Sequence, residues 1–355
     1  MAESVYAASP YPSFVASAMD GYAVRVTDVP GRLRVVGEVP AGVAPYAEVG
    51  PGTAVRIMTG SAVPVSAEAI VRVEDTATDG DHVDVAVSTT WGRNIRGIGE
   101  DVQVGDLVLA AGQLLNATQV AALVAHNIES VLVRPRPRVA VLSTGDELVS
   151  FGQPPGPAQL VDSNGPALGV AATQAGAEVV LVGQVGDDPN TFLAALSRLP
   201  AADLIITSGG VSMGAYDVVK SALRDQGVAF EAVAMQPGKP QAWGRVNGGV
   251  AFLGVPGNPV SALVSFELFC RAALGRERPV VAATLAEPVE HSPKGKRQFL
   301  RGDLADGVVR LVGGPQSHLL VSLARANCLI IVDEDYATLV AGQQVAVISL
   351  RSEER

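Results

Sequence analysis

The middle of the chain, from Arg138 to about Gly275, alternates short apolar runs with helical patterns, and this alternation constrains the fold more than any other feature. Runs such as VAVLS, VVLVGQV and LIITS are followed by segments such as GPALGVAATQAG, NTFLAALSRL and DVVKSALRDQG. Such alternation is typical of a mostly parallel sheet covered by helices on both faces. We therefore predict a three-layer α/β domain, with ligands at the carboxyl ends of its strands.

The segments on either side of this domain have a different pattern. From about Gly21 to Arg134, short alternating runs are separated by Gly, Pro and Asp turns, and one helical pattern follows Asn116. The prolines of RPRPR (134–138) favour an extended linker. The end of the chain returns to short strands. We predict an α/β multidomain protein with a β-rich region with a linker helix (1–135), the α/β domain (136–278) and a small β domain (279–355).

Composition excludes several classes of protein. The 355 residues are 48% hydrophobic and 17% charged, enough for several buried cores. No apolar run approaches the roughly twenty residues that cross a bilayer, and MAESVYAASPYPSF lacks the regions of a signal peptide, so we expect a cytoplasmic protein without membrane contact. A formal net charge of -10 disfavours nucleic-acid binding.

Cys270 and Cys328 stand in apolar segments and are predicted to be buried thiols.

Glycine-rich loops follow two strands of the predicted sheet, in VLSTGDEL and LIITSGGVSMGAYD. Glycine lets backbone N–H groups approach a phosphate closely, and a helix that starts next adds a favourable dipole. Each motif alone is more typical of turns and helix caps, and the occurrence of such loops at four strand ends favours a phosphate site. The predicted phosphate-binding residues are Ser143, Thr144, Gly145, Gly209, Gly210 and Ser212.

Two carboxylates in the same loops, Glu147 and Asp217, are predicted to share a magnesium ion. This hard cation prefers a few carboxylates together with water and substrate oxygens. Asp162 and Asp187 lie in the segments DSN and GDD, where a structural alternative remains open. Asp162 or Ser163 can cap the helix that follows, and so can the neighbour of Asp187, Asp188.

Two further loops combine prolines with polar side chains. In AMQPGKPQAW, Lys239 precedes Pro240 in a stiff turn that suits an oxyanion. In GVPGNPVSA, a turn through Gly257 and Asn258 leads into a helix that begins near Ser261. The chain has only four lysines, and for two of them, Lys294 and Lys296, a place near a ligand and a place on plain surface are both open.

Seven motifs occur in the order that is found in the MoeA and gephyrin E-domain family. They are SAMDGYAV (17–24), RIMTGSAVP (56–64), STGDEL (143–148), SGGVSMGAYD (208–217), PGKP (237–240), PGNPVS (256–261) and LARAN (323–327). Over nearly its whole length the chain resembles these molybdopterin molybdenumtransferases. The resemblance implies a central molybdopterin-binding domain, a C-terminal β-barrel and a homodimer. The segment before Ser17 is shorter than the family usually has.

The resemblance also implies roles for individual residues. Asp20 and Thr59 would face the cleft of a partner subunit, and Lys239, Arg301 and Ser317 would hold molybdate. The full set of implied catalytic residues is Asp20, Thr59, Glu147, Asp187, Asp217, Lys239, Arg301 and Ser317. The further substrate contacts expected in the central domain are Asp162, Pro240, Gly257, Asn258 and Ser261.

The activity implied is insertion of molybdate into adenylylated molybdopterin, with magnesium-dependent release of AMP. The expected macromolecular partners are an upstream adenylyltransferase and the apo-molybdoenzymes. Two other functions remain open: a molybdopterin adenylyltransferase, which is usually the central domain alone, and a non-catalytic molybdopterin-binding scaffold. The scaffold is suggested by Ala232 and Gln236, which occupy positions where many relatives have lysine. Tungstate is an alternative oxyanion.

Overall fold

A computed structural model describes residues 1–211 and 217–351 of the chain. Contacts between residues group the chain into two compact units, Met1–Pro135 and Arg136–Arg355. No described helix combines the length and the hydropathy that crossing a bilayer requires.

Met1–Pro135 is built around a six-stranded sheet. Its elements are β1 (Val5–Tyr6), β2 (Ala16–Ser17), β3 (Gly21–Val24), β4 (Gly31–Val39), β5 (Thr53–Ile57), β6 (Ala69–Arg72), β7 (Thr76–Asp79), β8 (His82–Val85), β9 (Ile95–Arg96), β10 (Leu107–Leu109) and α1 (Ala117–Ala125), with 3-10 turns at Val26–Asp28 and Val73–Asp75. The strand order is β6-β3-β5-β4-β8-β7, and all neighbours except β4 and β5 are antiparallel. The prediction of a β-rich region is confirmed.

Both faces of this sheet are buried because apolar side chains alternate along its strands. Tyr22 and Val24 of β3 pack into one core cluster, while Ala23 between them packs into another. Helix α1 begins with the predicted cap, since Asn116 Oδ1 accepts the N–H groups of Thr118 (3.0 Å) and Gln119 (3.4 Å). Gln119 in turn accepts the N–H of Asn116, which completes a capping box.

The first part of Arg136–Arg355 is the predicted three-layer α/β structure. Its elements are β11 (Arg138–Thr144), β12 (Leu148–Val149), β13 (Leu160–Val161), α2 (Asn164–Gln174), β14 (Glu178–Val185), α3 (Pro189–Ser197), β15 (Leu204–Ser208), α4 (Val218–Leu223), β16 (Val228–Ala232), β17 (Met235–Gln236), β18 (Pro240–Val246), β19 (Val250–Val255), α5 (Pro259–Ser265), a π-helical turn (Phe266–Cys270) and α6 (Arg271–Ala273). The sheet order is β14-β11-β15-β19-β18-β16, with the first four strands parallel.

Separate cores lie on the two faces of this sheet. Phe192 of α3 and Leu223 of α4 are fully buried on one face, and Leu168 of α2 and Phe266 after α5 are fully buried on the other. Cys270 lies in the second core as a free thiol. Helices therefore cover both faces, as the alternating pattern predicts.

The rest of this unit is a small closed barrel. Its elements are β20 (Val280–Leu285), β21 (Arg297–Ala305), β22 (Val308–Leu311), α7 (Leu320–Arg325), β23 (Cys328–Val332) and β24 (Gln344–Ser349). The order β21-β22-β20-β24-β23 is closed by pairing of β23 with β21, and β17 extends β21 as a parallel neighbour. The barrel that the resemblance implied is therefore present. Cys328 is a buried free thiol in it, and burial raises its pKa to about 11.

One core cluster is shared by the α/β sheet region and the barrel. Val260 and Val264 of α5 pack there with Phe299, Leu329 and Ile348 of the barrel strands. All five side chains are at least nine-tenths buried. This shared core holds the carboxyl edge of the α/β sheet next to the barrel.

Candidate functional site: a basic cleft beside the sheet edge

The parallel strands β11, β14, β15 and β19 all end at one edge of the α/β sheet. The loops that follow them therefore lie at that edge, where ligands of such sheets bind. The loop 233–239 reaches the same edge from β16. That strand pairs antiparallel with β18, which pairs antiparallel with β19, so β16 runs in the direction of β19.

Three of these loops are tied together by polar contacts. Thr144 donates its hydroxyl to the Ser208 carbonyl at 3.3 Å. The Asn164 amide lies 2.7 Å from Ser208 Oγ and 2.6 Å from the Gly257 carbonyl. Sequence reasoning missed Asn164, because an asparagine at a helix start is explained equally well by capping. Its amide holds the ends of β15 and β19 together.

Glycine at 209 is required by the close approach of two loops. Gly209 has a φ of +93°, and a Cβ there would lie 2.7 Å from the Thr144 carbonyl oxygen. Gly210 follows with a φ of +65°. The predicted role of Ser143, Thr144, Gly145, Gly209 and Gly210 in phosphate binding stays a prediction, and Ser212 lies outside the described residues.

The acidic residues of this edge have defined local partners. Asp162 is 5% exposed and accepts the N–H groups of Asn164 and Gly165, both at 3.0 Å, at the start of α2. Asp188 caps α3 by accepting the N–H and hydroxyl of Thr191 at 2.8 and 2.7 Å. The structural alternative from the sequence is therefore realised at both positions. The hydroxyl of Thr191, followed by its N–H, lowers the pKa of Asp188.

Asp187 is joined to the loop after β11. Its N–H donates to Asp146 Oδ1 at 3.0 Å, and the N–H of Asp146 donates to Asp187 Oδ2 at 3.3 Å. The adjacent Glu147 is exposed, and Asp217 immediately precedes α4. Within residues 1–211 and 217–351, His, Cys, Asp and Glu form no group of three or more that could hold a metal ion.

Lys239 projects from a turn that is anchored from inside the protein. The buried Gln241 amide donates to the Gly238 carbonyl at 2.7 Å and lies 2.6 Å from Ser265 Oγ. The Lys239 carbonyl accepts the N–H of Val233 at 2.8 Å. The turn is therefore fixed on both sides while the Lys239 side chain is exposed. Sequence reasoning did not identify Gln241 or Ser265.

A cleft of about 700 Å³ opens beside this turn, between the α/β sheet edge and the barrel. It contains the predicted residues Lys239, Pro240, Gly257, Asn258, Ser261, Ser317 and Gly210. It also contains Lys296, Gln236, Gln316 and His318. Among the described residues that line the cleft, none is Asp or Glu. Two lysines without a neighbouring carboxylate on the walls suit an anion.

Arg301 is buried next to the loop that contains Gln316 and is not among the residues that line the cleft. Its side chain is 3% exposed; Nη1 donates to the Gln316 carbonyl at 3.1 Å and Nε to the Val312 carbonyl at 3.4 Å. Nη2 is buried and has no partner among the described residues. Burial lowers the pKa of this guanidinium, which remains charged at neutral pH. The Ser317 carbonyl, next in the loop, accepts the N–H of Val260 at 3.2 Å.

Asp20 and Thr59 contact each other within Met1–Pro135. Asp20 Oδ1 accepts the backbone N–H of Thr59 at 2.6 Å and its hydroxyl at 2.7 Å. The backbone N–H, then the hydroxyl, lower the pKa of the Asp20 carboxyl, and the charge of Arg56 adds a smaller effect. A Cβ at Gly21 would lie 1.9 Å from the Val71 carbonyl oxygen, so glycine is required after Asp20.

Comparison with known proteins shows which family this chain belongs to. Residues 1–126 match the MoeA N-terminal region (domain I and II), residues 140–276 match the "Probable molybdopterin binding domain", and residues 282–350 match the MoeA C-terminal region (domain IV). Molybdopterin molybdenumtransferase 2 of Mycobacterium tuberculosis is 46% identical over 96% of this chain and 89% of that protein. The chain belongs to the MoeA family.

Other members of the MoeA family extend this similarity to distant organisms. Molybdopterin molybdenumtransferase of Nostoc is 36% identical over 96% of this chain and 84% of that protein. The crystal structure of the MoeA protein of Pyrococcus horikoshii OT3 superposes with a TM-score of 0.82 at 28% identity, over 98% of this chain and 91% of that chain. The recognition of the family and the predicted fold class are confirmed.

Two positions are uncharged where the resemblance in the sequence leads us to expect lysine. Ala232 ends β16 opposite Pro240, and Gln236 lines the basic cleft with an uncharged amide. Lys296 lines the same cleft from the barrel side. The cleft therefore keeps two ammonium groups although Gln236 carries no charge.

Proposed function

We propose that this chain transfers molybdenum from molybdate to adenylylated molybdopterin and releases AMP in molybdenum-cofactor synthesis. Membership of the MoeA family supports the reaction class. The observation that carries the proposal for the site is the cleft itself, which has the Lys239 ammonium, the Ser261 and Ser317 hydroxyls and no carboxylate among its described lining residues. A tetrahedral oxyanion such as molybdate is bound by converging cations and hydroxyl donors.

The cleft residues act by position and charge. Lys239 would hold the oxyanion from a turn that Gln241 keeps rigid. Ser317 would donate from a loop fixed by the Arg301 guanidinium through the carbonyl of Gln316. Arg301 can also add its positive charge to the potential of the cleft from its buried position. In this proposal Arg301 positions the loop rather than contacting the oxyanion directly.

The loops at the ends of β11, β15 and β19 are proposed to hold the pterin and its phosphates. Their backbone groups lie close together because Gly209 admits the contact with Thr144. Ser143 Oγ is buried and without a partner among the described residues, which leaves a donor at this edge. Asp162 would act indirectly, by holding the start of α2.

Magnesium is proposed to bind at the same edge through Glu147 and Asp217. Their carboxylate oxygens are hard donors, and Glu147 is exposed, which suits an ion that keeps several waters. The bound ion would neutralise charge on the phosphate oxygens of the substrate. Asp187 would support this loop through its contacts with Asp146.

A homodimer in the cytoplasm completes the proposal. In it the Asp20–Thr59 pair would face the cleft of the partner subunit, and Asp20 would stay ionised because Thr59 stabilises the carboxylate. The upstream adenylyltransferase would deliver the pterin substrate and apo-molybdoenzymes would receive the product. Mass measurement in solution by light scattering tests the dimer, and a monomeric mass would refute it.

The decisive experiment measures AMP release from adenylylated molybdopterin with magnesium, with and without molybdate. Lys239→Gln removes one of the two ammonium groups of the cleft, and Lys294→Gln is the matched control, since Lys294 is exposed and does not line the cleft. We expect molybdate-dependent AMP release that Lys239→Gln reduces by roughly ten- to a hundredfold while Lys294→Gln stays near the parent chain. Tight pterin binding without AMP release would instead favour the scaffold, and tungstate in place of molybdate tests the oxyanion.

A further inference from the structure

We infer that Lys296, contributed by the barrel, is a second cationic anchor for a substrate oxyanion in the cleft. The inference rests on the proposed function. Neither the family pattern in the sequence nor the predicted site residues include this lysine. The inference adds a cationic contact from the barrel to the hydroxyl of Ser317, which the barrel part of the chain already contributes to the cleft.

The backbone at Lys296 is fixed against the segment that carries Lys239. Arg297 donates its N–H to the Ala234 carbonyl at 2.9 Å, and the pairing of β17 with β21 places Met235 beside Arg297 and Gln236 beside Gln298. Gln236 is followed directly by the turn that carries Lys239. Lys296 immediately precedes β21 and Lys239 follows β17, which pairs with β21, and both lysines line the cleft.

The turn before Lys296 is also held in place. Gly295 has a φ of +75° and donates its N–H to the Glu334 carbonyl at 2.9 Å. The N–H of Lys296 donates to the Pro293 carbonyl at 3.3 Å. Lys296 lines the cleft, whereas Lys294, two residues earlier, does not.

The charges around Lys296 leave its ammonium available for a ligand. The neighbouring Arg297 is exposed and pairs with Asp333 and Glu334, each at 3.2 Å. Lys296 itself forms no ion pair within residues 1–211 and 217–351. With no carboxylate among the described lining residues, its positive charge is not neutralised in the cleft. A cation without an ion-pair partner in the cleft favours occupation of the cleft by an anion.

Gln236 gives the cleft one cation fewer than a lysine at this position would supply. Its amide lines the cleft and can donate hydrogen bonds, but it carries no charge. A doubly charged oxyanion is attracted more strongly by two ammonium groups than by one. Lys296 supplies the second ammonium group from the turn before β21. Free molybdate and the phosphates of adenylylated molybdopterin share this chemistry, and the experiment separates them.

The test compares Lys296→Gln with Lys294→Gln, which removes the same charge two residues away from an exposed position outside the cleft. AMP release is titrated with molybdate at saturating pterin, and with pterin at saturating molybdate. We expect Lys296→Gln to raise the KM for one of the two substrates by roughly three- to tenfold, with the larger effect identifying the bound oxyanion. The difference should shrink in high salt, because salt screens the attraction.

Two further variants separate charge from local structure. Lys296→Arg keeps the charge and is expected to keep the KM within about twofold of the parent chain. Gln236→Lys combined with Lys296→Gln returns a cation to the cleft from β17 and is expected to restore most of the lost affinity. Equal KM values for Lys296→Gln and Lys294→Gln in both titrations would overturn the inference, as would no recovery in the combined variant.

A result on the parent chain keeps this inference distinct from the proposed function. If the parent chain releases no AMP, the proposed reaction fails, and calorimetric binding of molybdate and of molybdopterin then replaces the two titrations. Weaker binding by Lys296→Gln than by Lys294→Gln would still support the anchor. Absence of binding by the parent chain, or equal binding by the two variants, would refute it.

Discussion

At the scale of single residues, the turn that carries Lys239 is held in place by a buried amide and a buried hydroxyl. Gln241 is 4% exposed and connects the Gly238 carbonyl with Ser265 Oγ. A buried amide that satisfies two partners is costly to remove, because both are left without hydrogen bonds. The position of Lys239 thus depends on residues that no ligand touches.

Gln241→Leu is expected to lower the free energy of unfolding by about 1–3 kcal/mol and to raise the KM for molybdate more than it lowers kcat. The reason is that Gly238 loses its anchor while Lys239 keeps its charge. Denaturant unfolding and the molybdate titration measure the two effects. Gln226→Leu is the control, since the Gln226 side chain donates to the Ala222 carbonyl near the end of α4, outside the residues that line the cleft. A KM unchanged relative to this control would show that the turn does not need Gln241.

The Asp20–Thr59 pair gives a pH-dependent prediction. Because the N–H and hydroxyl of Thr59 lower the pKa of Asp20, the stabilisation from this pair is present above the pKa of unfolded Asp20 and is lost as the pH falls through the lower folded value. Thr59→Val removes only the hydroxyl. We therefore expect the Asp20 pKa to rise but to stay below its usual range, since the backbone N–H is the larger cause.

An NMR titration of the Asp20 carboxyl in the parent chain and in Thr59→Val measures this shift. Thr173→Val serves as the control, because the Thr173 hydroxyl donates to the Gly169 carbonyl in α2. Identical Asp20 titration curves in the parent chain and Thr59→Val would contradict the assigned contact.

At the scale of elements, loops that approach each other closely at the sheet edge restrict the residue type at a position more strictly than the strands do. Gly209 and Gly227 both have a positive φ, +93° and +81°. Only Gly209 faces backbone at close range, since a Cβ there would meet the Thr144 carbonyl oxygen at 2.7 Å, whereas the space around Gly227 is open. The two positions therefore separate backbone strain from steric conflict.

Gly209→Ala is expected to destabilise the protein by about 1 kcal/mol or more beyond Gly227→Ala, which carries only the strain of a left-handed alanine. Gly209→Ala should also reduce AMP release, because the ends of β11 and β15 would move apart. Denaturant unfolding of both variants measures the difference. Equal losses of stability would mean that the contact between Gly209 and Thr144 relaxes without cost.

At the scale of the whole molecule, Arg136–Arg355 contains every described residue that lines the cleft. Its four core clusters draw all of their residues from this unit, and one of them joins α5 to the barrel. A separate barrel would expose that shared core to water. The sheet region and the barrel are therefore expected to fold together, with the cleft between them.

Residues 136–355 produced alone are expected to fold cooperatively and to retain molybdate binding in the cleft. Circular dichroism during heating and calorimetry with molybdate measure the two properties. The control is the same fragment with Leu329→Ala. This substitution removes a fully buried side chain from the shared core and should lower the free energy of unfolding by about 2–5 kcal/mol. A fragment that is aggregated or unfolded would show that Met1–Pro135 is needed for folding of this unit.

The fold class and the positions of the loops at the sheet edge could be predicted from the order of residues alone. Alternating apolar runs and helical patterns are local properties, so the three-layer sheet and the cap at Asn116 follow from the order of residues. Lys239 was predicted in the same way, because prolines and glycine beside a lysine define a stiff turn. The MoeA motifs added the family and the expected reaction.

The contacts between residues far apart in the chain became visible only in the folded protein. Asn164 and Gly257 are brought into contact by parallel strands, Gln241 reaches Ser265 across the sheet region, and Lys296 joins the cleft through the pairing of β17 with β21. The Arg301 guanidinium is buried and donates to the Gln316 carbonyl. No local pattern encodes these contacts, because each depends on strand register and on a core shared by elements far apart in the chain.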